Sequence, residues 1–168
     1  MIDLISGGEL IQSMKQLEGF QDKEIWSIMN QLAESLEALN LLNIVHRDIK
    51  PENILLTGND KSLTDTQLIL CDYGIASKTK NGNNQLKSGQ YILTSAGSPG
   101  YIAPEVLIQS QNGVSERKFV LECSSDMYSL GILFYVLLSR ALPWKKNSKE
   151  DIETQNMKSQ IDFSTNNK

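Results

Sequence analysis

The stretch IVHRDIKPENILL, residues 44–56, places a dense polar cluster between two apolar runs and contains the only histidine of the chain. Short apolar runs of this kind, rich in isoleucine, valine and leucine, are typical of buried strands. The charged and amide residues between the runs are His46, Arg47, Asp48, Lys50, Glu52 and Asn53. We therefore predict a polar loop that is held rigid by two short strands.

The residue types in this loop suit phosphoryl transfer. Asp48 is a candidate general base, Lys50 is a nearby cation, and Asn53 is a neutral oxygen ligand. Asp72 adds a second carboxylate beyond a predicted hairpin. A base for a hydroxyl, an ammonium for a phosphoryl oxygen and oxygen ligands for Mg²⁺ are the groups that this reaction needs. Judged alone, Asp48 is more typical of a turn cap than of a catalytic base. His46 alone is more typical of a structural histidine than of a metal ligand.

Apolar periodicity predicts two helices ahead of this loop. Ser6 and Glu9 have capping-box spacing, which predicts a short helix over residues 10–17. Asp22 is a candidate cap for a longer amphipathic helix, whose apolar residues recur every three or four positions as far as Leu42. The longer helix is expected to bury one face in the core.

A third helix is predicted near the end of the chain. It begins at Ser124 or Ser125, is apolar enough to be buried on most sides, and ends near Arg140. Trp144 is expected to pack against this central helix. Beyond Trp144 the sequence is polar, and no further helix is predicted there.

Two short strands and a long loop are predicted between these helices. Residues 54–56 and 68–71 are apolar runs on either side of a polar stretch, which predicts a hairpin. Residues 77–98 are rich in Lys, Asn, Gly, Ser and Thr, which is typical of a mobile, functional loop.

Composition limits the class of protein. The chain has 168 residues and 40% hydrophobic content, which suits one domain with a core. The net charge of −4 is spread along the chain, so no nucleic-acid or membrane footprint is expected. Cys71 and Cys123 are too far apart for a disulfide framework or a zinc motif. With no signal peptide or apolar span in the sequence, we expect a location in the cytosol or nucleus.

Four motifs, in order along the chain, resemble those of the eukaryotic protein kinases. They are HRDIKPEN (46–53), DYG (72–74), GSPGYIAPE (97–105) and SDMYSLG (125–131). The first is similar to the catalytic loop H-R-D-x-x-x-x-N, and its K-P-E-N portion resembles the serine/threonine branch. The resemblance implies an α+β, mostly α-helical fold: a kinase C-terminal lobe with short β-hairpins at the catalytic cleft.

The resemblance implies a role for each residue of the cleft. Asp48 would be the base, Lys50 would contact the transferred phosphoryl group, and Asn53 and Asp72 would hold Mg²⁺ beside ATP. The N-terminal segment looks like the hinge of calcium/calmodulin-dependent-type kinases. The further residues that it would place against the nucleotide are Asp3, Ile5, Glu9, Glu52 and Leu55. A protein serine or threonine would be the substrate.

The same resemblance implies regulation. Ser98 would bond both the catalytic aspartate and the lysine, and the aspartate of SDMYSLG would brace the catalytic loop. Thr94 lies at the usual activating site, where an upstream kinase would phosphorylate it. Arg47 would then clamp that phosphate through bidentate charge-assisted bonds.

The chain matches only part of the family pattern. Residues 1–168 resemble the hinge and most of the large lobe, without the glycine-rich loop or the small-lobe lysine. Because those parts hold the phosphates, we expect the chain to be a fragment that is inactive alone. Tyr73, Tyr128 and Arg140 replace the usual phenylalanine, tryptophan and glycine. The alternative is a non-catalytic, pseudokinase-like interaction module.

Overall fold

The computed structural model describes residues 5–17, 19–58, 63–78, 96–111, 123–144 and 148–158. Within these residues the predicted α+β, mostly α-helical class is confirmed. The elements in chain order are α1 (Leu10–Gln16), α2 (Asp22–Leu41), β1 (Ile44–Val45), a 3-10 turn (Pro51–Asn53), β2 (Ile54–Leu56), β3 (Leu68–Leu70), β4 (Ser77–Lys78), α3 (Pro104–Gln111), α4 (Ser124–Ser139) and α5 (Lys149–Met157).

Helix α1 forms where the sequence predicts it, but the predicted capping box is wrong. Glu9 is the N-cap residue and makes no side-chain capping bond. The Ser6 hydroxyl instead donates to the Thr57 carbonyl at 3.4 Å. Ser6 and Glu9 do not cap α1, because the backbone ahead of the helix pairs with strand β2.

That pairing depends on a glycine. The Gly7 amide donates to the Leu56 carbonyl at 3.0 Å, and the Leu56 amide donates to the Gly8 carbonyl at 2.9 Å. A Cβ atom on Gly7 would lie 2.4 Å from the Leu56 oxygen. A side chain there would therefore push the N-terminal segment away from the strand that leads out of the polar loop.

Helix α2 is the longest described element and forms as predicted, with its start shifted by one residue. Gln21 is the N-cap, and a capping box joins it to Glu24, whose Oε2 accepts from the Gln21 amide at 2.9 Å. Asp22 is the first helical residue, not the cap. The apolar face of α2 is buried as its periodicity predicts, with Ile28 and Leu32 at 0% and 1% exposure.

The two strand pairs lie on either side of the polar loop. β2 and β3 form the predicted antiparallel hairpin, with Ile54 opposite Leu70. β1 pairs with β4, with Val45 opposite Ser77, so the first two residues of the predicted loop over 77–98 form a strand. Residues 79–95 of that loop lie outside the described residues.

Helix α4 has the predicted bounds and packs against α2. Leu130, Leu133 and Leu137 of α4 join the apolar face of α2 in one core cluster. The expectation that α4 is buried on most sides is confirmed, and the large apolar side chains that stay exposed, Met127, Phe134 and Leu138, lie on one stripe of the helix. The other faces of α4 contact α2, the polar loop and Trp144.

The last part of the chain also departs from prediction. Trp144 packs against Ile132 and Val136 of α4, as expected. The polar sequence beyond it forms α5, which the sequence did not predict, with the Ser148 hydroxyl accepting from the Asp151 amide at 3.1 Å. Ser148 followed by acidic residues was the available signal. Apolar periodicity could not reveal α5, because Asn156 is its only buried residue.

No helix among the described residues is long and apolar enough to cross a membrane.

Candidate active site

Asp48, Lys50 and Ser98 form a ring of charge-assisted hydrogen bonds. Lys50 Nζ donates to Asp48 Oδ2 and to Ser98 Oγ, both at 2.7 Å. The Ser98 hydroxyl donates in turn to Asp48 Oδ1 at 2.8 Å. The structure therefore brings together the aspartate, the lysine and the serine that the sequence analysis selected.

This ring keeps Asp48 ionised. Asp48 is 8% exposed, and that burial acts to raise its pKa. The bonds from Lys50, Ser98 and Asn53 outweigh the burial and hold the pKa of Asp48 below its ordinary value. An ionised, hydrogen-bonded carboxylate at neutral pH can accept a proton from an incoming hydroxyl.

Asn53 is held against the aspartate by the 3-10 turn that Pro51 begins. Its Nδ2 donates to the Asp48 carbonyl and to Asp48 Oδ2, both at 2.9 Å. No hydrogen bond from a described residue reaches Asn53 Oδ1. With Nδ2 committed to the aspartate, the amide oxygen is the group of Asn53 that can act as a metal ligand.

Asp72 follows strand β3, and Asn53 comes directly before β2, the strand that pairs with β3. The Cys71 amide donates to the Asn53 carbonyl at 2.9 Å, which ties the two sequence segments together beside the turn. Asp72 has φ +63° and is exposed, and its Oδ1 accepts from the Gly74 amide at 3.3 Å. Carboxylate and amide oxygens are the ligands that Mg²⁺ prefers, so Asn53 and Asp72 fit that ion.

The backbone of the polar loop is braced from α4. Asp126 Oδ2 accepts from the His46 amide at 2.7 Å, and Asp126 Oδ1 accepts from the Arg47 amide at 2.8 Å. Asp126 is 3% exposed; burial raises its pKa, and these bonds oppose the rise. Arg47 adopts φ +74°, a conformation that a non-glycine residue holds only when its surroundings enforce it.

His46 is a scaffold residue, in line with its expected structural role. It is fully buried, and its Nε2 lies 3.0 Å from the Cys71 carbonyl. Its ring packs edge-on against Tyr73 with the centroids 4.7 Å apart. His46 thus links the polar loop to the segment that carries Asp72.

Arg47 points to the start of the long loop. Its guanidinium donates to the Ile75 carbonyl and the Ser77 hydroxyl, both at 3.2 Å. Burial lowers its pKa, and the Asp126 carboxylate opposes that shift. Thr94, its predicted phosphorylated partner, lies outside the described residues. The phosphate clamp therefore stays a prediction.

The residues predicted to bind the nucleotide are partly placed. Glu9 and Leu55 face each other in an antiparallel bridge, which brings those two together beside β2. Ile5 is half-buried at the start of the described chain, and Asp3 lies outside it. Glu52 is exposed in the 3-10 turn.

Sequence reasoning missed the residues that hold the segment around Ser98. Gly97 adopts φ +133°, and a Cβ there would lie 2.8 Å from the Arg47 carbonyl. The segment can thus approach the polar loop only because residue 97 is glycine. The glycine was visible in the sequence, but its close neighbour was not.

Together, these residues define a phosphoryl-transfer site on a mostly helical lobe. A buried carboxylate kept ionised by a lysine and a serine lies beside an asparagine, and a second carboxylate suited to Mg²⁺ follows the strand that is tied to this asparagine. Such a site belongs to a phosphotransferase class that relies on positioning and charge rather than on a covalent intermediate.

Comparison with known proteins agrees. The family model described as protein kinase domain matches residues 1–168. The chain belongs to the protein kinase domain family, and its relatives are of the serine/threonine type. The C-terminal-lobe character that the motifs implied is consistent with this assignment.

Three curated relatives illustrate the similarity. Serine/threonine-protein kinase H1 of Homo sapiens is 30% identical over 164 residues, which are 98% of this chain and 35% of that protein. Serine/threonine-protein kinase PEPKR2 of Arabidopsis thaliana is 34% identical over 165 residues, 98% of this chain and 30% of that protein. Calcium/calmodulin-dependent protein kinase type 1 of Macrobrachium nipponense is 28% identical over 163 residues, which are 97% of this chain and 41% of that protein. The chain spans well under half the length of these relatives.

Proposed function

We propose that this chain supplies the catalytic loop and the magnesium-binding residues of a serine/threonine protein kinase, which transfers the γ-phosphoryl group of ATP to a protein hydroxyl. The observation that carries the proposal is the ring of Asp48, Lys50 and Ser98, with Asn53 donating to the same carboxylate. In a non-catalytic interaction module these buried charges would have no reaction to serve, and their desolvation would still be costly.

The residues divide the reaction between them. Asp48 orients the substrate hydroxyl and accepts its proton as the oxygen bonds to the γ-phosphorus and the bond to the ADP oxygen breaks. Lys50, already 2.7 Å from Asp48 Oδ2, offsets negative charge on the transferred group. Asn53 Oδ1 and the Asp72 carboxylate would hold Mg²⁺, which when bound neutralises the phosphate oxygens.

Nucleotide contacts follow from the same proposal. Glu9 and Leu55, which lie together beside β2, would contact the ribose and the adenine. Ile5 and Asp3 would pair with the adenine edge through their backbone. Glu52, exposed in the 3-10 turn, would also contact the nucleotide.

The test is ATP-dependent phosphorylation of serine and threonine peptides, with γ-labelled ATP and long incubations. Asp48→Asn should reduce transfer about a hundredfold or more, since it removes the base. Asp65→Asn is the matched control: it removes an exposed aspartate whose described contact is a weak bond from Thr64 at 3.5 Å.

The outcomes separate the two candidate functions. Transfer that needs Mg²⁺ and Asp48 supports the enzyme. Transfer that survives Asp48→Asn unchanged would contradict the assigned base. A chain that neither binds Mg·ATP nor transfers phosphate, but folds, would favour the interaction module.

Regulation through Thr94 is part of the proposal. An upstream kinase would phosphorylate Thr94, and Arg47, whose guanidinium already lies beside Ser77 at the start of the long loop, would bind the phosphate. Thr94→Ala should then abolish any stimulation by prior phosphorylation. Equal stimulation of Thr94→Ala and the unaltered chain would refute this role.

A further inference from the structure

Three successive backbone carbonyls in the segment over residues 98–102 each accept a hydrogen bond from a side chain of a different part of the fold. The pairs are Trp144 Nε1 to the Gly100 carbonyl at 2.9 Å, Ser129 Oγ to the Tyr101 carbonyl at 2.7 Å, and Asn156 Nδ2 to the Ile102 carbonyl at 2.6 Å. The donors come from the turn after α4, from α4 itself and from α5. The segment is therefore held from its back, away from the polar loop.

Asn156 is unusual among these donors. It is fully buried, and it is the only buried residue of α5, whose remaining residues are mostly polar or charged. Both ends of its amide are used, because Oδ1 accepts from the Tyr128 hydroxyl while Nδ2 donates to the Ile102 carbonyl. A buried amide is costly unless it is satisfied in this way, and an apolar side chain would pack there without that cost.

The Tyr128 hydroxyl fixes the orientation of that amide. Burial and the charge of Glu105 raise the pKa of Tyr128 to about 12. The phenol therefore stays protonated at neutral pH and donates to Asn156 Oδ1. This leaves Nδ2 facing the Ile102 carbonyl, so the amide of Asn156 is held in the one orientation that can donate to that carbonyl.

The pinned segment leads directly to the catalytic ring. The Tyr101 amide donates to the Ser98 carbonyl at 3.1 Å and closes a tight turn. Ser98 Oγ then contacts Asp48 and Lys50 at 2.8 and 2.7 Å. Because only this turn separates the two residues, a shift of the Ile102 carbonyl would also move the Ser98 hydroxyl.

We propose that Asn156 is a positioning residue: through the Ile102 carbonyl it fixes the 98–102 segment, and so keeps Ser98 bonded to Asp48 and Lys50. Tyr128 is its partner and orients the amide. The effect on phosphoryl transfer rests on the proposed function, whereas the effect on the position of the segment does not. Helix α5 and the catalytic ring are thereby coupled through one polar contact.

Two variants isolate the contact. Asn156→Asp keeps the shape and an acceptor for Tyr128 but loses the donor to Ile102. Tyr128→Phe removes only the hydroxyl that orients the amide. Glu153→Gln is the matched control on the same helix, since it breaks only the ion pair of the half-buried Glu153 with the exposed Lys149, at 3.7 Å.

The first readout is amide hydrogen exchange over residues 98–106, compared with residues 124–139. We expect exchange in the first stretch to become at least about tenfold faster in Asn156→Asp, because the variant loses one net hydrogen bond of about 1.4 kcal/mol and places a carboxylate oxygen against the Ile102 carbonyl. A smaller increase is expected in Tyr128→Phe, and none in Glu153→Gln. The second readout is phosphorylation kinetics, where kcat should fall in Asn156→Asp while KM for ATP stays unchanged.

Each outcome decides the proposal. Exchange that stays as slow as in the unaltered chain, or that rises equally in both stretches, would overturn it, because the contact would then be absent or merely structural. Local loosening together with a lower kcat supports it in full. If the segment loosens in Asn156→Asp while the unaltered chain neither binds Mg·ATP nor transfers phosphate, the positioning role stands and the proposed function fails.

Discussion

Ser98 lies far from Asp48 in the chain, yet its hydroxyl donates to Asp48 Oδ1 at 2.8 Å. Lys50 donates to the other carboxylate oxygen and to Ser98 Oγ, which closes the ring. Each member of the ring fixes the other two. The titration of Asp48 therefore depends on a residue that its own loop does not contain.

Removing the serine hydroxyl tests this dependence. Ser98→Ala should lower the rate of phosphoryl transfer about tenfold, because Asp48 loses one charge-assisted bond and Lys50 loses its second anchor. The pKa of Asp48 should also rise towards its ordinary value. Initial rates with a serine peptide measure the effect. Ser35→Ala, which removes a hydroxyl bonded within α2, is the control and should change nothing.

Magnesium dependence tests Asp72. Asp72→Asn should weaken the binding of Mg·ATP but leave the binding of metal-free ATP unchanged, since the carboxylate serves the metal rather than the nucleotide. A nucleotide titration with and without EDTA measures both. Equal loss in the two conditions would place Asp72 outside the metal site.

Asp126 should control the order of the polar loop. Asp126→Ala leaves the amides of His46 and Arg47 without their buried acceptor, and should destabilise the chain by about 2–4 kcal/mol. Urea unfolding and exchange at residues 46–47 provide the measurements. The exposed Asp22, in the first turn of α2, is a control, since Asp22→Asn should cost less than about 1 kcal/mol. Similar losses in the two variants would contradict the bracing role.

Acid should reveal the titration of Asp48. Its folded-state pKa lies below the ordinary value of 3.8, so its ionised form stabilises the fold above that value. This contribution is lost as pH falls from 3.8 through the lower folded-state pKa. Asp126, whose pKa is raised, contributes with the opposite sign. The free energy of unfolding of the unaltered chain should therefore fall more steeply below pH 3.8 than that of Asp48→Asn. Parallel pH curves would contradict the depressed pKa.

Two glycines make a matched pair for testing the segment near Ser98. Gly100 adopts φ +92°, and an added Cβ would lie 3.0 Å from Leu142 Cδ1. Gly100→Ala should destabilise the chain by about 1–2 kcal/mol. Gly131 lies within α4 with nothing within 4 Å of an added Cβ. Gly131→Ala should stabilise the chain by about 0.5–1 kcal/mol. Thermal unfolding gives both values, and a loss of stability in both variants would refute the contrast.

The elements that were predicted correctly share one property, which is that short stretches of sequence specify them. Helix α2 and the β2–β3 hairpin carry their apolar patterns locally, and both formed where the patterns predict. Helix α5 was missed because its sequence is polar and its only buried residue is an asparagine. Strand β4 was missed because its partner, β1, lies far earlier in the chain.

The sequence by itself determined the chemical groups of the site and their order: the proposed base, the lysine and the proposed oxygen ligands stand in two of the four motifs, HRDIKPEN and DYG. Only the tertiary structure decided how these groups act on one another. The depressed pKa of Asp48 and the contact of Asn156 with Ile102 both require residues far apart in the chain to meet. Local sequence encodes backbone preference and residue type, whereas burial and hydrogen-bond geometry arise when α4 packs against the polar loop and α5 packs against the 98–102 segment.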